Sequence, residues 1–419
     1  MEPVEEDRPG IHRNVWVTSG TSFLTDISSE MILNVLPLFL ANVLGVRIWA
    51  VGLVEGLADA TAALVKVYSG RLSDRTGARK WLAVAGYVVS TLAKPFYLVV
   101  TTWTGVAAIR WGDRVGKGVR TAPRDALLAD SSAPARRGLV FGIHRAADTG
   151  GAVIGLLITL AVVGRMQGDA SLLEDGTFRT LVLWSLLPAA LGVILLATAA
   201  RDVEVSGDPS SRQGRDAAGL RRTPSGRSAF RELGGGFRWF VIASVLFELG
   251  NSADALIVLR AQERGLSVMG VLWILLAFNV VYAAVAAPAG AVSDRLGRRG
   301  TVFVGWVVYC VAYLGFAFAE STWHITVLYL LYGVYHGVVA GAAKALVVAL
   351  VPARLRATAF GTYAAVVGVV GLPASLLGGV LWEGFGGYPG LGPAAPFAFG
   401  SLTAALAAVV LVVMVPEGA

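Results

Sequence analysis

Two stretches decide the reading of this chain: Gly70-Arg71-Leu72-Ser73-Asp74-Arg75-Thr76-Gly77-Ala78-Arg79 and Gly290-Ala291-Val292-Ser293-Asp294-Arg295-Leu296-Gly297-Arg298-Arg299. They share Gly-x-x-Ser-Asp-Arg-x-Gly-x-Arg at an offset of 220 residues, and each forms a short polar break between two long apolar runs. Other anchors keep nearly the same offset. Pro134-Ala135-Arg136 aligns with Pro352-Ala353-Arg354, Phe141-Gly142 with Phe360-Gly361, and Phe23, Ser28 and Glu30 with Phe247, Ser252 and Asp254, all within 218–224 residues. Several separate anchors at one long period mark a duplicated unit rather than a local motif.

Outward from these breaks the chain is apolar almost throughout. Of its 419 residues, 55% are hydrophobic and 15% charged, and the mean hydropathy is +0.67. A soluble domain carries about a quarter charged residues on its wet surface, so a soluble enzyme, a disordered chain and a single-span anchor are all excluded. Apolar runs long enough to cross a bilayer read as spans over 15–41, 48–70, 81–101, 104–129, 139–163 and 178–200, then 239–259, 267–290, 301–319, 323–350, 357–381 and 394–415. The expected fold is an all-α integral membrane protein with twelve spans in two homologous six-helix halves. Its domains are a tail at 1–14, a first bundle over 15–200, a polar linker over 201–238, a second bundle over 239–415 and a tail at 416–419.

Lysine and arginine set the orientation. With the N-terminus inside, the inner segments hold 21 basic residues and the outer loops hold 5, namely Arg47, Arg165, Arg179, Arg260 and Arg264. Both termini are therefore expected on the cytoplasmic side of the cytoplasmic membrane, with the bilayer as partner. The net charge of +7 follows from these loops and not from nucleic-acid binding. The N-terminal MEPVEEDRPG lacks the basic region of a cleaved signal, so the first span is expected to start insertion. Cys310 is the one cysteine, which rules out a disulfide framework. Gly116-Lys117 is followed by Gly118 and not by Ser or Thr, so it is not a nucleotide-binding loop. No cofactor, metal cluster or catalytic constellation is read, and the chain is not expected to be an enzyme.

Together the paired loops, twelve spans and long middle segment resemble the major facilitator superfamily along residues 15–415. That resemblance implies alternating access by rocking of two halves. It also implies a gating role for Asp74, Arg75, Asp294 and Arg295, whose counterparts lock helix ends; the bare alternative is a topology signal. Arg79 and Arg124 are placed in the same gate. Arg114-Val-Gly-Lys-Gly118 resembles the family's RxxxG element, linked to proton transfer. Asp148-Thr-Gly-Gly-Ala-Val-Ile-Gly155 lacks the proline of the antiporter signature, so export by antiport does not follow. The fourth span also resembles a subgroup of bacterial permeases, some of them associated with siderophore transport.

Eighteen charged residues fall within spans, nine of each sign. Each costs a few kcal/mol at the bilayer centre on insertion scales, so each needs a partner or water. The fourth span concentrates them: Arg110, Asp113, Arg114, Lys117, Arg120, Arg124 and Asp125 recur at helical spacing, forming a basic stripe about 20 Å long. Guanidinium groups grip carboxylate or phosphate bidentately, so Arg110, Arg114, Lys117, Arg145 and Lys344 are candidate anion-binding residues. The rival reading pairs them with Asp26, Glu30, Glu55, Asp59 and Asp148. A proton-coupled carrier needs a carboxylate or imidazole that loads and unloads as access to water changes, which makes Asp26, Glu30, Asp254 and His336 candidates. The expected function is secondary active transport of a small anionic organic solute, coupled to protons. The alternatives are a multidrug or lipophilic-cation exporter and a non-transporting membrane sensor.

Overall fold

The computed structural model describes residues 11–132, 137–202, 233–352 and 355–416. Most of the 201–238 linker, Pro134-Ala135-Arg136, Ala353, Arg354 and the side chains of Asp74, Asp294 and Arg295 lie outside the described residues. Apolar segments in a medium without water must satisfy their own backbone groups, which leaves the helix as the way to cross. Thirteen longer helices are found among the described residues: α1 Arg13–Leu33, α2 Ile48–Thr76, α3 Arg79–Ala93, α4 Trp103–Asp130, α5 Arg137–Met166, α6 Asp175–Ala199, α7 Gly234–Gly250, α8 Asp254–Glu263, α9 Val268–Leu296, α10 Arg298–Phe318, α11 Thr322–Leu350, α12 Arg356–Glu383 and α13 Ala395–Met414. With α7 and α8 forming one span, they make twelve crossings.

Ten of the spans are long and apolar enough to cross on composition alone. The other two depart for visible reasons. After α3 the chain tightens into a 3₁₀ turn over Lys94–Leu98, with Pro95 near its start. The α4 helix is long enough but carries the seven charges of the basic stripe and Asp130.

The first span of each half is discontinuous where the apolar run had read as one helix. The α1 helix stops at Leu33, Asn34 Nδ2 turns back to the Glu30 carbonyl at 2.8 Å, and Pro37 opens a short turn that passes into a π-helical segment over Phe39–Val43. The seventh span breaks over 251–253, between Gly250 and Asp254. In each signature loop a glycine ends the preceding helix with positive φ, +67° at Gly77 and +77° at Gly297. That conformation is nearly free for glycine and costly for other residues, which is one reason the motif needs it.

Packing repeats the duplication. In the first half α1 lies against α5 and α6, α4 against α2 and α3, and α3 against α6. The second half copies this, with α7 against α12 and α13, α11 against α9 and α10, and α10 against α13. The halves meet through α2 with α12 and through α5 with α9, two pairs that exchange under the repeat. An apolar groove of about 620 Å³ on the outer face of α3 and α4, lined by Leu92, Phe96, Val99 and Ile109 among others, holds no charged group.

Arg260, one of the five arginines assigned to outer loops, is 1% exposed and serves as a helix cap. It donates to the carbonyls of Phe316 and Ala317 at 3.1 Å each, at the end of α10, and pairs with Glu263. The last carbonyls of a helix have no partner within it, and a cation there also suits the dipole. Arg260→Ala is expected to destabilise the protein by about 2–3 kcal/mol, the cost of burying unpaired acceptors. Thermal unfolding measures this, and a Tm equal to the parent's would remove Arg260 from the capping role.

Candidate functional site

The charges of α4 do not form one wall, because the helices on either side take up different members. Arg110 is buried, donates to Glu55 of α2 at 2.6 Å and lies 3.8 Å from Asp113. Arg120 turns into the bundle, donating to Ser90 of α3 at 2.6 Å with its guanidinium 4.5 Å from the Tyr87 ring centre. Arg124 bonds Ser22 of α1 at 3.0 Å and its neighbour Asp125 at 2.8 Å.

Arg114 and Lys117 remain. Arg114 reaches Asp59 of α2 at 3.5 Å, and its Nε has no hydrogen-bond partner. The Asp59 side chain is 61% exposed. Glu248 of the second half lies within electrostatic reach of Asp59, so this contact borders the space between the halves. Lys117, one turn further along α4, is exposed, and its ammonium has no ion pair or hydrogen bond among the described residues. Asp26 and Asp59 are its electrostatic neighbours of opposite sign.

On α1, Asp26 is half-buried between Glu30, Asp148, Lys117 and Arg120. Glu30 is held by Asn34 Nδ2 at 2.9 Å. Asp148 of α5 stands 3.6 Å from His144. Arg145 is exposed and donates to Tyr282 Oη of α9 at 3.0 Å, which bridges the halves. Of the expected gate residues, Arg79 pairs with Asp130 across the start of α3 and the end of α4, while Arg75 is exposed.

The second half faces this ionic surface with aromatic rings. Tyr309, Tyr313, Tyr329, Tyr332 and Tyr335 pack with Phe247, Phe278 and Phe316. His336 stands edge-on to Tyr332 with ring centres 4.6 Å apart, and its Nε2 has no partner. Asp254 accepts from Tyr332 Oη at 2.7 Å. Lys344 is exposed on α11, two turns beyond His336, or about 12 Å along the helix. Trp273 is 56% exposed on α9.

Two features escaped sequence reasoning. Lys94 is buried and donates to Ser28 Oγ at 2.5 Å and Ser29 Oγ at 3.3 Å, which ties α3 to α1. A lysine within an apolar run was a visible signal, but its direction was not. The second is the closure at the end of the molecule opposite the termini. There Glu383, at the end of α12, pairs with Arg47 at 3.1 Å and accepts from the Ile48 N–H at 2.5 Å. On the other side the Ala170 carbonyl accepts from Val268 N–H at 3.1 Å, and Ser267 donates to Asp169. Ile48 and Val268 begin α2 and α9, and they are repeat mates at the 220-residue offset. In each half, then, the free N–H groups that open a span are capped by the opposite half. Among the described residues, the hydrogen bonds between the halves cluster at this end, apart from Arg145 with Tyr282.

Two repeated six-helix bundles, joined through exchanged helix pairs and enclosing intramembrane charge, define a secondary transporter built for alternating access. The sequence pattern of the Major Facilitator Superfamily matches residues 18–260 and 239–419. An uncharacterised MFS-type transporter of Methanocaldococcus jannaschii is 32% identical over 413 residues, 97% of this chain and 96% of its own. A mutant of the nucleoside transporter NupG has TM-score 0.75 at 13% identity, covering 96% of this chain and 100% of that one. A D-xylose–proton symporter has TM-score 0.74 at 16% identity, covering 96% and 98%. The chain belongs to the major facilitator superfamily.

Proposed function

We propose that this transporter carries a small organic anion across the cytoplasmic membrane, with both termini cytoplasmic and with protons as the coupling ion. The observation that carries the reading is the state of Arg114 and Lys117. They border the inter-half space, one with a single long contact and an unpartnered Nε, the other with no close partner. An anion entering that space would meet the Lys117 ammonium and the open side of the Arg114 guanidinium, which can grip a carboxylate or phosphate. Arg110, Arg120 and Arg124 are spoken for by Glu55, Ser90 and Asp125, and we assign them to holding the first bundle together. Arg145 and Lys344 would lead the anion toward the site from the side bearing the termini. A lipophilic-cation exporter fits this set less well, since Arg114 and Lys117 present two cations at the border of the space its cargo would enter.

The coupling carboxylates we favour are Asp26 and Glu30, one helical turn apart, with Lys117 an electrostatic neighbour of Asp26. An anion arriving there disfavours a second negative charge and so favours the protonated carboxyl, which links anion binding to proton uptake. Asp26→Asn is expected to abolish uptake driven by an imposed pH gradient in proteoliposomes while leaving exchange counterflow of the same anion intact. Gradient-driven uptake at the parent's rate in that variant would exclude Asp26 as the coupling group.

A further inference from the structure

The break in the seventh span is a feature that the anion reading does not use. Between α7 and α8 the backbone leaves the helix over Asn251, Ser252 and Ala253, with Glu248 one turn before the break and Asp254 at its far side. Helix ends carry carbonyls without intrahelical partners, and here they meet two carboxylates. Among the described residues the Glu248 carboxylate accepts from Asn251 Nδ2 at 3.3 Å, and Asp254 accepts from the Tyr332 hydroxyl. Asn251 Oδ1 and the Gly250 carbonyl both face Tyr309 Oη, at 3.4 and 3.2 Å.

Two buried hydroxyls at the same place lack a well-formed hydrogen bond. Ser252, within the break, is 4% exposed, and its Oγ makes no well-formed hydrogen bond. Tyr313 is fully buried and its Oη makes no well-formed hydrogen bond; the Ser252 and Tyr309 hydroxyls are its side-chain neighbours, and Glu248 and Asp254 lie within electrostatic reach. A buried hydroxyl without a well-formed hydrogen bond is costly, and this cluster sets two of them beside two carboxylates. No lysine or arginine forms an ion pair with either acid among the described residues. All the donors are oxygen: carboxylate, amide, carbonyl and hydroxyl. Such a set suits a hard monovalent cation or a primary ammonium, and it lacks the nitrogen or sulfur ligands that draw transition metals.

We propose that the break between Glu248 and Asp254 is a monovalent-cation subsite, with Ser252 and Tyr313 completing its oxygen lining. The cation is either a free alkali ion that travels with the anion or the ammonium group of a zwitterionic cargo. The subsite shares no hydrogen bond or ion pair with Arg114 or Lys117 among the described residues, although Asp59, the partner of Arg114, lies within electrostatic reach of Glu248.

The test is thermal stability of the purified full-length protein at constant ionic strength, with choline chloride replaced stepwise by sodium chloride or by methylammonium chloride. Choline, whose quaternary nitrogen has no N–H to donate, serves as the reference for each variant. A saturable rise in Tm with sodium supports the subsite and assigns it to a free ion. A saturable rise with methylammonium supports it and assigns it to a cargo's ammonium. In either case Asp254→Asn, and the milder Ser252→Ala and Tyr313→Phe, should weaken half-saturation by about fivefold or more relative to their own choline baselines. Stabilisation by anions, read separately at fixed cation, tells loss of the anion site apart from loss of this one. Equal Tm in all three salts, or a rise that persists unweakened in all three subsite variants, would overturn the proposal.

Discussion

Gly52→Val is expected to hold the far end of the transporter open and to reduce transport by about tenfold or more, as a displaced two-state equilibrium requires. A Cβ at Gly52 would lie 2.2 Å from the Ser375 carbonyl oxygen and 3.0 Å from its carbon, and both atoms are backbone of the opposite half. Neither can swing aside as a side-chain tip would, so the β-branched residue forces α2 from α12. The same wedge separates the Glu383 carboxylate from Arg47 and the Ile48 N–H, which removes the polar latch as well. Spin labels on Val46 and Leu391, placed in a Cys310→Ser background, report the separation directly. A longer distance distribution with lost uptake is expected; an unchanged distribution with normal uptake would show that this contact does not gate. Glu383→Gln should act in the same direction but weakly, because an exposed ion pair is worth about 0–1 kcal/mol and a helix cap about 1 kcal/mol.

The second large effect lies in the first bundle. Glu55→Gln and Arg110→Ala, made singly, are each expected to destabilise the protein by about 3–5 kcal/mol, the usual cost of leaving one member of a buried ion pair uncompensated. The side chains of Arg110 and Glu55 are only 4% and 11% exposed, and they cross from α4 to α2 at 2.6 Å. Asp113, at 3.8 Å from Arg110, would lose a cation in the second variant. Removing both charges together, as Glu55→Leu with Arg110→Met, should recover most of the loss, since an apolar pair of similar volume needs no solvation. Thermal unfolding and the monodisperse fraction after purification test this. Additive losses in the double variant would mean that the two residues act separately.

The architecture was legible because its evidence is long-range and redundant. The Gly70–Arg79 and Gly290–Arg299 loops agree in spacing with anchors scattered over whole spans, and a bilayer leaves few ways to arrange twelve apolar runs. The breaks at Asn34 and at 251–253 were less legible. Their polar residues read as cavity lining, and continuous apolarity on either side hides a helix end. The basic stripe of α4 shows where periodicity stops helping. It places Arg110, Arg114 and Lys117 along one side, but the role of each depends on what the neighbouring helix presents. Glu55 meets Arg110, Ser90 and Tyr87 meet Arg120, and at Lys117 no close partner is met. The Arg47–Glu383 latch joins residues 336 apart, and nothing in either local sequence points to the other.

The measurement that tests the central claim most directly is a ligand-induced thermal shift on the purified protein and on Arg114→Ala. The panel would be citrate, glucose 6-phosphate, a carboxylate siderophore and tetraphenylphosphonium. A ligand that binds the folded state stabilises it according to its concentration over its dissociation constant. The anion site on α4 predicts stabilisation by one of the anions, lost in Arg114→Ala. Stabilisation by tetraphenylphosphonium alone, equal in both proteins, would contradict it and make Arg114 and Lys117 part of the scaffold.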